Sequence, residues 1–334
     1  MVATPRARIV GTGMYVPPEV TTNYDLEKLM ETSDEWIRQR SGIVERRYAA
    51  AGLGPSDLAL EASKAALDMA GVKSTDLDMI IFATLSPDYY FPGSGAFLQD
   101  YLGCGTTPAL DIRNQCSGFL YGLNVAQAFI TSGLYKRVLL VGAECHSRAL
   151  NFSTPGRDVS VLFGDGAGAV VLAPSDDPKR GILSTHVYAE GAHRDLLKIE
   201  APSTRQSPMI SPASIAEGTH YPKMEGRQVF KHAVTRMPEA VATALKHNGM
   251  TPDDVDLYLF HQANLRINEA VMKQLEQPLA KTYNNIDRYG NCSAASIPMC
   301  LDEVVRSGRV KAGDQICMAS FGAGFMWASA MMRW

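Results

Sequence analysis

No window of this 334-residue chain holds the roughly 18 continuous apolar residues that a membrane-spanning helix needs. The N-terminal stretch MVATPRARIVGTG also lacks the apolar core of a secretory signal. Charge of one sign is never concentrated: 32 Lys and Arg and 35 Asp and Glu leave a net charge of −3 with no like-charged run of five or more. That argues against a basic arm for nucleic acid and against a disordered acidic tail, so an anionic partner has to be met by local basic patches. Cysteine is sparse. Cys104, Cys116, Cys145, Cys292, Cys300 and Cys317 lie far apart without a C-x-x-C pair. This is the pattern of free thiols in a reducing compartment and argues against both a disulfide framework and a zinc site. The expectation is a cytoplasmic globular protein without metal, whose 46% apolar content supports one large domain or two moderate ones.

What the chain does contain is a repeat. Residues 71–85, GVKSTDLDMIIFATL, align with residues 249–263, GMTPDDVDLYLFHQA, sharing a glycine, two aspartates and a phenylalanine. SGLYKRVLLVGAE from Ser132 resembles SGRVKAGDQICMAS from Ser307, and FGDGAGAVVLA from Phe163 resembles FGAGFMWASAM from Phe321. The starts also correspond, RARIVGTGMYV near Arg6 with RGILSTHVYAE near Arg180. Four matches in the same order argue for a duplicated half, with 1–175 as one unit and 176–334 as the other. Within each unit, short apolar runs such as MIIFAT and VLLVGAE alternate with helical patterns such as LALEASKAALDMAG, which implies an α/β fold with mostly buried strands. Gly71 and Gly133 fall where helix C-terminal caps are expected. Residues 176–181 read as a connector, and the Pro- and Ser-rich 201–219 as a loop over the second unit.

Three polar positions carry candidate chemistry. In DIRNQCSGF, Cys116 precedes apolar residues at Phe119, Leu120, Leu123, Ala126 and Ile130, a helical spacing that starts the helix at about Cys116. A thiol there faces the positive end of the helix, which favours thiolate and lowers its pKa. A small buried hydrophobe is the other reading of the same residue. His261 in HQAN follows the apolar run LYLF, at the carboxyl end of a strand where open α/β sheets gather ligands. Asn291 in RYGNCSAAS precedes a small-residue helix start that the repeat pairs with the Cys116 region. Either residue also fits a purely structural role, the asparagine in its own turn.

The stretches IVGTGMYVP, TSDEWIRQRSGI, the Cys116 segment, FGDGAGAVVL, MEGRQVFK, HQANLRI, YGNCSAASIP and FGAGFMWASA span nearly the whole chain. Together they resemble the β-ketoacyl-acyl carrier protein synthase III family of the thiolase superfamily. The resemblance implies the thiolase-like duplicated fold, two similar α/β halves layered α-β-α-β-α. It also implies a homodimer and a catalytic triad of Cys116, His261 and Asn291. Trp36 and Arg157 would then flank the adenine of coenzyme A, with Arg40 near its phosphates and Asn264 beside the pantetheine channel. Lys231, Arg266 and Lys273 would meet an acidic carrier protein at the entrance, and Phe91 would reach the partner's acyl pocket. The amides of Cys116 and Ala323 would form an oxyanion hole, Ala323 standing where the family usually has glycine. Cys292, beside Asn291, is a second candidate thiol.

The reaction so implied is a decarboxylative Claisen condensation of an acyl-CoA with malonyl-acyl carrier protein through acyl-Cys116, with no cofactor beyond the coenzyme A thioester itself. Two other reactions suit the same scaffold. One is acyl transfer to a hydroxyl or amine, and the other is non-decarboxylative condensation, which in relatives uses as base a partner-subunit glutamate in the loop corresponding to residues 86–95. Here that loop reads SPDYYFPGSG, and Asp88 is its sole acid. A non-catalytic partner subunit is the remaining alternative, and the intact triad argues against it.

Overall fold

The computed structural model describes residues 5–334. Its first principal sheet contains β1 (Ala7–Tyr15), β2 (Met79–Ala83), β3 (Ala109–Ile112), β4 (Val138–Glu144) and β5 (Gly166–Pro174), in the spatial order β1-β5-β4-β2-β3. The second contains β6 (Gly181–Ala189), β7 (Leu257–Phe260), β8 (Gln315–Gly322) and β9 (Met326–Arg333), in the order β7-β8-β9-β6. In the first sheet β1 is antiparallel to β5, β5 to β4, and β4 is parallel to β2. The second repeats this with β6 antiparallel to β9, β9 to β8, and β8 parallel to β7. Each strand in the second series is the sequence counterpart of one in the first. β3 is an additional edge strand, parallel to β2.

The strands have two apolar faces because both faces are covered. Along β2, Ile81 turns to a core shared with the second sheet, whereas Ile80 and Phe82 turn to the opposite side. Along β7, Leu257 and Leu259 enter the same shared core, and Tyr258 and Phe260 face the other way. Helix α3 (Gly118–Thr131) and helix α6 (Ser296–Arg306) fill that shared core through Phe119, Leu123, Ile130, Ile297, Leu301 and Val304. Helix α2 (Pro55–Ala70) covers the outer face of the first sheet with Leu58, Ala62 and Ala66. Helix α4 (Gly226–His247) and helix α5 (Leu265–Gln274) cover the outer face of the second with Met237, Val241, Val271 and Met272. The result is α-β-α-β-α layering. Helix α1 (Asp34–Ser41) lies outside these layers and starts at Ser33, whose hydroxyl accepts from the Trp36 amide at 3.1 Å.

Gly71 caps α2 with φ +63°, and Gly133 follows α3 with φ +77° and its N–H on Ile130 O at 3.0 Å, the left-handed positions expected of them. The 201–219 segment is not loop throughout, since Pro212–Ala216 forms a short helix whose Ser211 cap accepts from the Ser214 amide. No helix among the described residues is long and apolar enough to cross a membrane.

Candidate active site

Cys116 sits one step before α3. A single 3₁₀ turn, Gln115–Ser117, carries it, and the α-helix proper begins at Gly118, two residues later than the periodicity suggests. The turn is tied to the second half: the Ser117 hydroxyl donates to Met326 O at 3.0 Å and accepts from Ser320 Oγ at 3.0 Å. The end of β8 closes on the nucleophile so tightly that a Cβ at Gly322 would lie 2.8 Å from Cys116 Cβ. Only glycine permits this approach.

His261 directly follows β7, and its N–H on Ala319 O at 3.0 Å continues the ladder to β8. The ring is buried, with Nδ1 2.7 Å from Ser296 Oγ and Nε2 without a partner. Burial lowers the imidazolium pKa to about 3, so the ring is neutral at physiological pH. Asn291 follows Gly290, which takes φ +65°. Its backbone is held by Leu162 O at 2.8 Å and by the Gly164 amide at 3.1 Å. Asn291 Oδ1 accepts from the Ser293 amide at 2.8 Å, which leaves the NH2 group as the free end of the side chain.

One cavity of about 550 Å³ brings Cys116, His261 and Asn291 together with Trp36, Arg40, Asn264 and Arg266. The triad occupies its buried end, with Cys116 only 8% exposed, and the arginines its open end. Two guanidinium groups lie on the Trp36 indole, Arg40 at 4.7 Å and Arg157 at 4.9 Å from the ring centroid. Arg157 also donates to Glu31 O at 2.7 Å. Asn264 caps α5 by accepting from the Arg266 amide at 3.0 Å, and its side-chain NH2 donates to Arg40 O at 2.8 Å, joining α1 to α5. Lys231 and Lys273 are exposed on α4 and α5 and do not line the cavity. Phe91, 81% exposed beside exposed Tyr89 and Tyr90, does not line it either. Ala323 is one residue beyond the lining Gly322, and among the described residues neither its amide nor that of Cys116 finds a backbone carbonyl.

The expected low pKa of Cys116 is not what the site produces. Burial pushes this thiol up to about 11, with the nearby Glu144 charge acting in the same sense and the Ser293 hydroxyl in the opposite one. A helix start offers about half a unit charge, and here it faces the full cost of placing a thiolate out of water. Cys292 packs with Tyr289, Ala295 and Met299, its thiol donating to Tyr289 O at 3.4 Å, and burial raises its pKa well above the ordinary thiol value. Brief iodoacetamide treatment followed by peptide mapping should label Cys116 first, because it is the one cysteine among the cavity-lining residues. The labelling rate should climb roughly tenfold per pH unit above neutrality as thiolate forms. Faster labelling of Cys292 would transfer the nucleophile's role to it.

Several further residues shape the site, although nothing in their own type or spacing singles them out within the stretches that contain them. Met224, Arg227, Val229 and Phe230, from the MEGRQVFK stretch, form one wall of the cavity. Ser293 and Ser296 contact the triad from behind. Glu144 is buried, its carboxyl pushed up to about 7 by burial, and it accepts from Ser86 Oγ at 2.6 Å, the Ser86 amide at 3.1 Å and Thr84 Oγ1 at 3.0 Å. It thereby anchors the base of the loop that carries Phe91. Among the described residues, one cluster, Glu190, His193 and His232, has ligand atoms close enough to converge on a metal. Arg236 already holds that carboxylate at 2.9 Å.

Family models described as 3-oxoacyl-[acyl-carrier-protein] synthase III and its C-terminal region match residues 110–191 and 245–334. Over 328 residues the chain is 47% identical to the β-ketoacyl-[acyl-carrier-protein] synthase III of Roseiflexus castenholzii, covering 98% of each protein. The crystal structure of the 3-oxoacyl-[acyl-carrier-protein] synthase III of Aquifex aeolicus superposes with a TM-score of 0.90 at 43% identity, over 98% of this chain and 100% of that one. A priming β-ketosynthase of the R1128 polyketide pathway gives a TM-score of 0.90 at 30% identity, over 100% of this chain and 98% of that one. Full-length identity at this level, on a thiolase-type fold with Cys116, His261 and Asn291 facing one cavity, leads to one conclusion: the chain belongs to the 3-oxoacyl-[acyl-carrier-protein] synthase III family.

Proposed function

We propose that the protein condenses an acyl-CoA with malonyl-acyl carrier protein to give a 3-oxoacyl-acyl carrier protein, by way of acyl-Cys116. The observation that carries this reading is the convergence of one thiol, one neutral imidazole and one primary amide at the buried end of a single cavity. In the first half-reaction Cys116 Sγ attacks the thioester carbonyl, the acyl–S(CoA) bond breaks, and coenzyme A leaves as its thiol with the cysteine proton. The amides of Cys116 and Ala323 receive the oxyanion. In the second, the malonyl carboxylate departs as CO2, and the electron pair becomes an enolate on the thioester. Asn291 NH2 and His261 Nε2 donate to its oxygen. For Nε2 to carry the ring proton, the single Ser296 hydroxyl hydrogen goes to His261 Nδ1, 2.7 Å away, in place of the Ser293 carbonyl at 2.9 Å. The enolate carbon attacks acyl-Cys116, the C–Sγ bond breaks, and the thiolate is reprotonated by solvent. One fixed donor of this kind lowers the barrier by about 3 kcal/mol.

Trp36, Arg40, Arg157 and Asn264 bind coenzyme A, and Arg266 with Lys231 and Lys273 receives the acidic carrier protein. Arg227, on the same wall, joins them. No metal takes part. Phe91 and its exposed aromatic neighbours cover a second copy of the chain, so the working unit is a homodimer. Non-decarboxylative condensation is disfavoured because Asp88, the sole acid of its loop, is engaged by the Ser56 hydroxyl at 2.8 Å. Mixing the enzyme with a panel of acyl-CoA donors and malonyl-acyl carrier protein should release CO2 and add a 3-oxoacyl mass to the carrier protein. Acyl transfer to hydroxyl or amine acceptors alone would overturn the reading.

Trp36→Ala should raise KM for acyl-CoA about tenfold, the usual worth of one stacked base, and leave condensation by pre-acylated enzyme nearly unchanged. An unchanged KM with a collapsed second half-reaction would remove Trp36 from the cofactor site.

A further inference from the structure

The geometry points to Ser293 as a further catalytic residue, whose hydroxyl donates to Cys116 Sγ and stabilises the thiolate that attacks the acyl donor. The Ser293 hydroxyl lies 3.5 Å from Cys116 Sγ, across 177 positions of sequence, within reach for a sulfur acceptor. The backbone of the same residue holds Asn291 directly and reaches His261 by way of Ser296. Its amide holds Asn291 Oδ1 at 2.8 Å, and its carbonyl lies 2.9 Å from Ser296 Oγ, the hydroxyl that in turn sits 2.7 Å from His261 Nδ1.

The backbone at this point is unusual. Ser293 takes φ +44°, in the left-handed region that side chains with a Cβ avoid, and it is 1% exposed. Such a conformation persists where the surroundings over-determine it. Here Ala294 packs directly against Gly142 of β4, where a Cβ would collide with the Ala294 carbonyl, and its methyl faces Gly118 at the start of α3. The 293–295 turn is thus wedged between the first sheet and the Cys116 turn. The strain places a hydroxyl, which glycine would not supply, next to the nucleophile.

The inference deepens the reading of Cys116 as nucleophile and supplies what burial removes. A thiol out of water needs a donor if it is to ionise, and His261, neutral with a depressed pKa, is a poor base for it. A hydrogen bond to an ionised group is worth enough to move a pKa by about one unit. When the thioester forms, Sγ loses its charge and the hydroxyl is released.

The test is the pH profile of Cys116 alkylation by iodoacetamide in full-length Ser293→Ala and Ser293→Gly, read by peptide mass with the melting temperature recorded alongside. Ser293→Gly relieves the left-handed strain and guards against a folding defect. Both variants should shift the profile upward by about one pH unit and slow labelling at neutral pH about tenfold. A profile for Ser293→Gly that overlays that of the unmodified protein overturns the proposal, whether or not its melting temperature changes. Alkylation needs no substrate, so a failure of the condensation reading would show separately, as an unmodified protein that captures no acyl group.

Discussion

Replacing Cys116 with alanine is expected to abolish acyl capture outright, with no mass increase on any acyl-CoA donor. The reason is geometric as well as chemical. Ser293 is not a substitute nucleophile, since its oxygen is fixed behind Cys116 in the 293–295 turn and does not line the cavity. Cys292 packs away from the cavity among Tyr289, Ala295 and Met299. The variant should fold, because Gly322 and the Cys116 Cβ already set the spacing there and alanine keeps that Cβ. Intact mass spectrometry after incubation with acyl-CoA decides. Residual acylation above the background of a heat-denatured control would place the nucleophile elsewhere.

His261→Ala and Asn291→Ala should each accept an acyl group at a rate within about tenfold of the unmodified protein, yet lose malonyl decarboxylation by roughly a hundredfold or more, the usual cost of one deleted donor. The division follows from protonation. Burial holds His261 neutral, its conjugate acid down at about 3, while Cys116 is up at about 11. Proton transfer from this thiol to this imidazole is strongly uphill, so His261 serves as donor and not as base. The double variant should lose less than the two penalties combined, because both groups serve one oxygen. Single-turnover acylation followed by CO2 release from malonyl-acyl carrier protein separates the steps. If His261→Ala blocked acylation and spared decarboxylation, His261 would be the base for Cys116.

Much of the fold was legible before any coordinates. The internal repeat pairs MIIFAT with YLFHQA, and the corresponding strands, β2 and β7, hold equivalent places in the two sheets. Buried strands announce themselves as apolar runs because both faces are covered, and Gly71 and Gly133 mark helix ends because glycine takes positive φ without cost. The short helix Pro212–Ala216 was missed. Five residues of mixed composition have no periodicity to read, and its start depends on the Ser211 and Ser214 hydroxyls bonding back to the chain. The start of α3 was misplaced by two residues since the apolar spacing that reveals a helix is silent about a 3₁₀ turn before it.

The local chemistry of Cys116, His261 and Asn291 is a matter of sequence: residue type, position after a strand or before a helix, and the motifs that identify the family. Their state is not. Whether Cys116 is thiol or thiolate depends on how much water the folded chain excludes, and burial moves its pKa opposite to the direction a helix start implies. Arg40 and Arg157 approach the Trp36 ring from segments more than a hundred residues apart in sequence. Ser293 stands inside the YGNCSAASIP stretch, but it comes within reach of Cys116 only because β8, α3 and the 293–295 turn pack together. Sequence alone determined which groups the protein brings to its reaction and the repeated frame that presents them. Tertiary structure decided their protonation and their neighbours, because desolvation and hydrogen bonding are set by atoms distant in the chain and near in space.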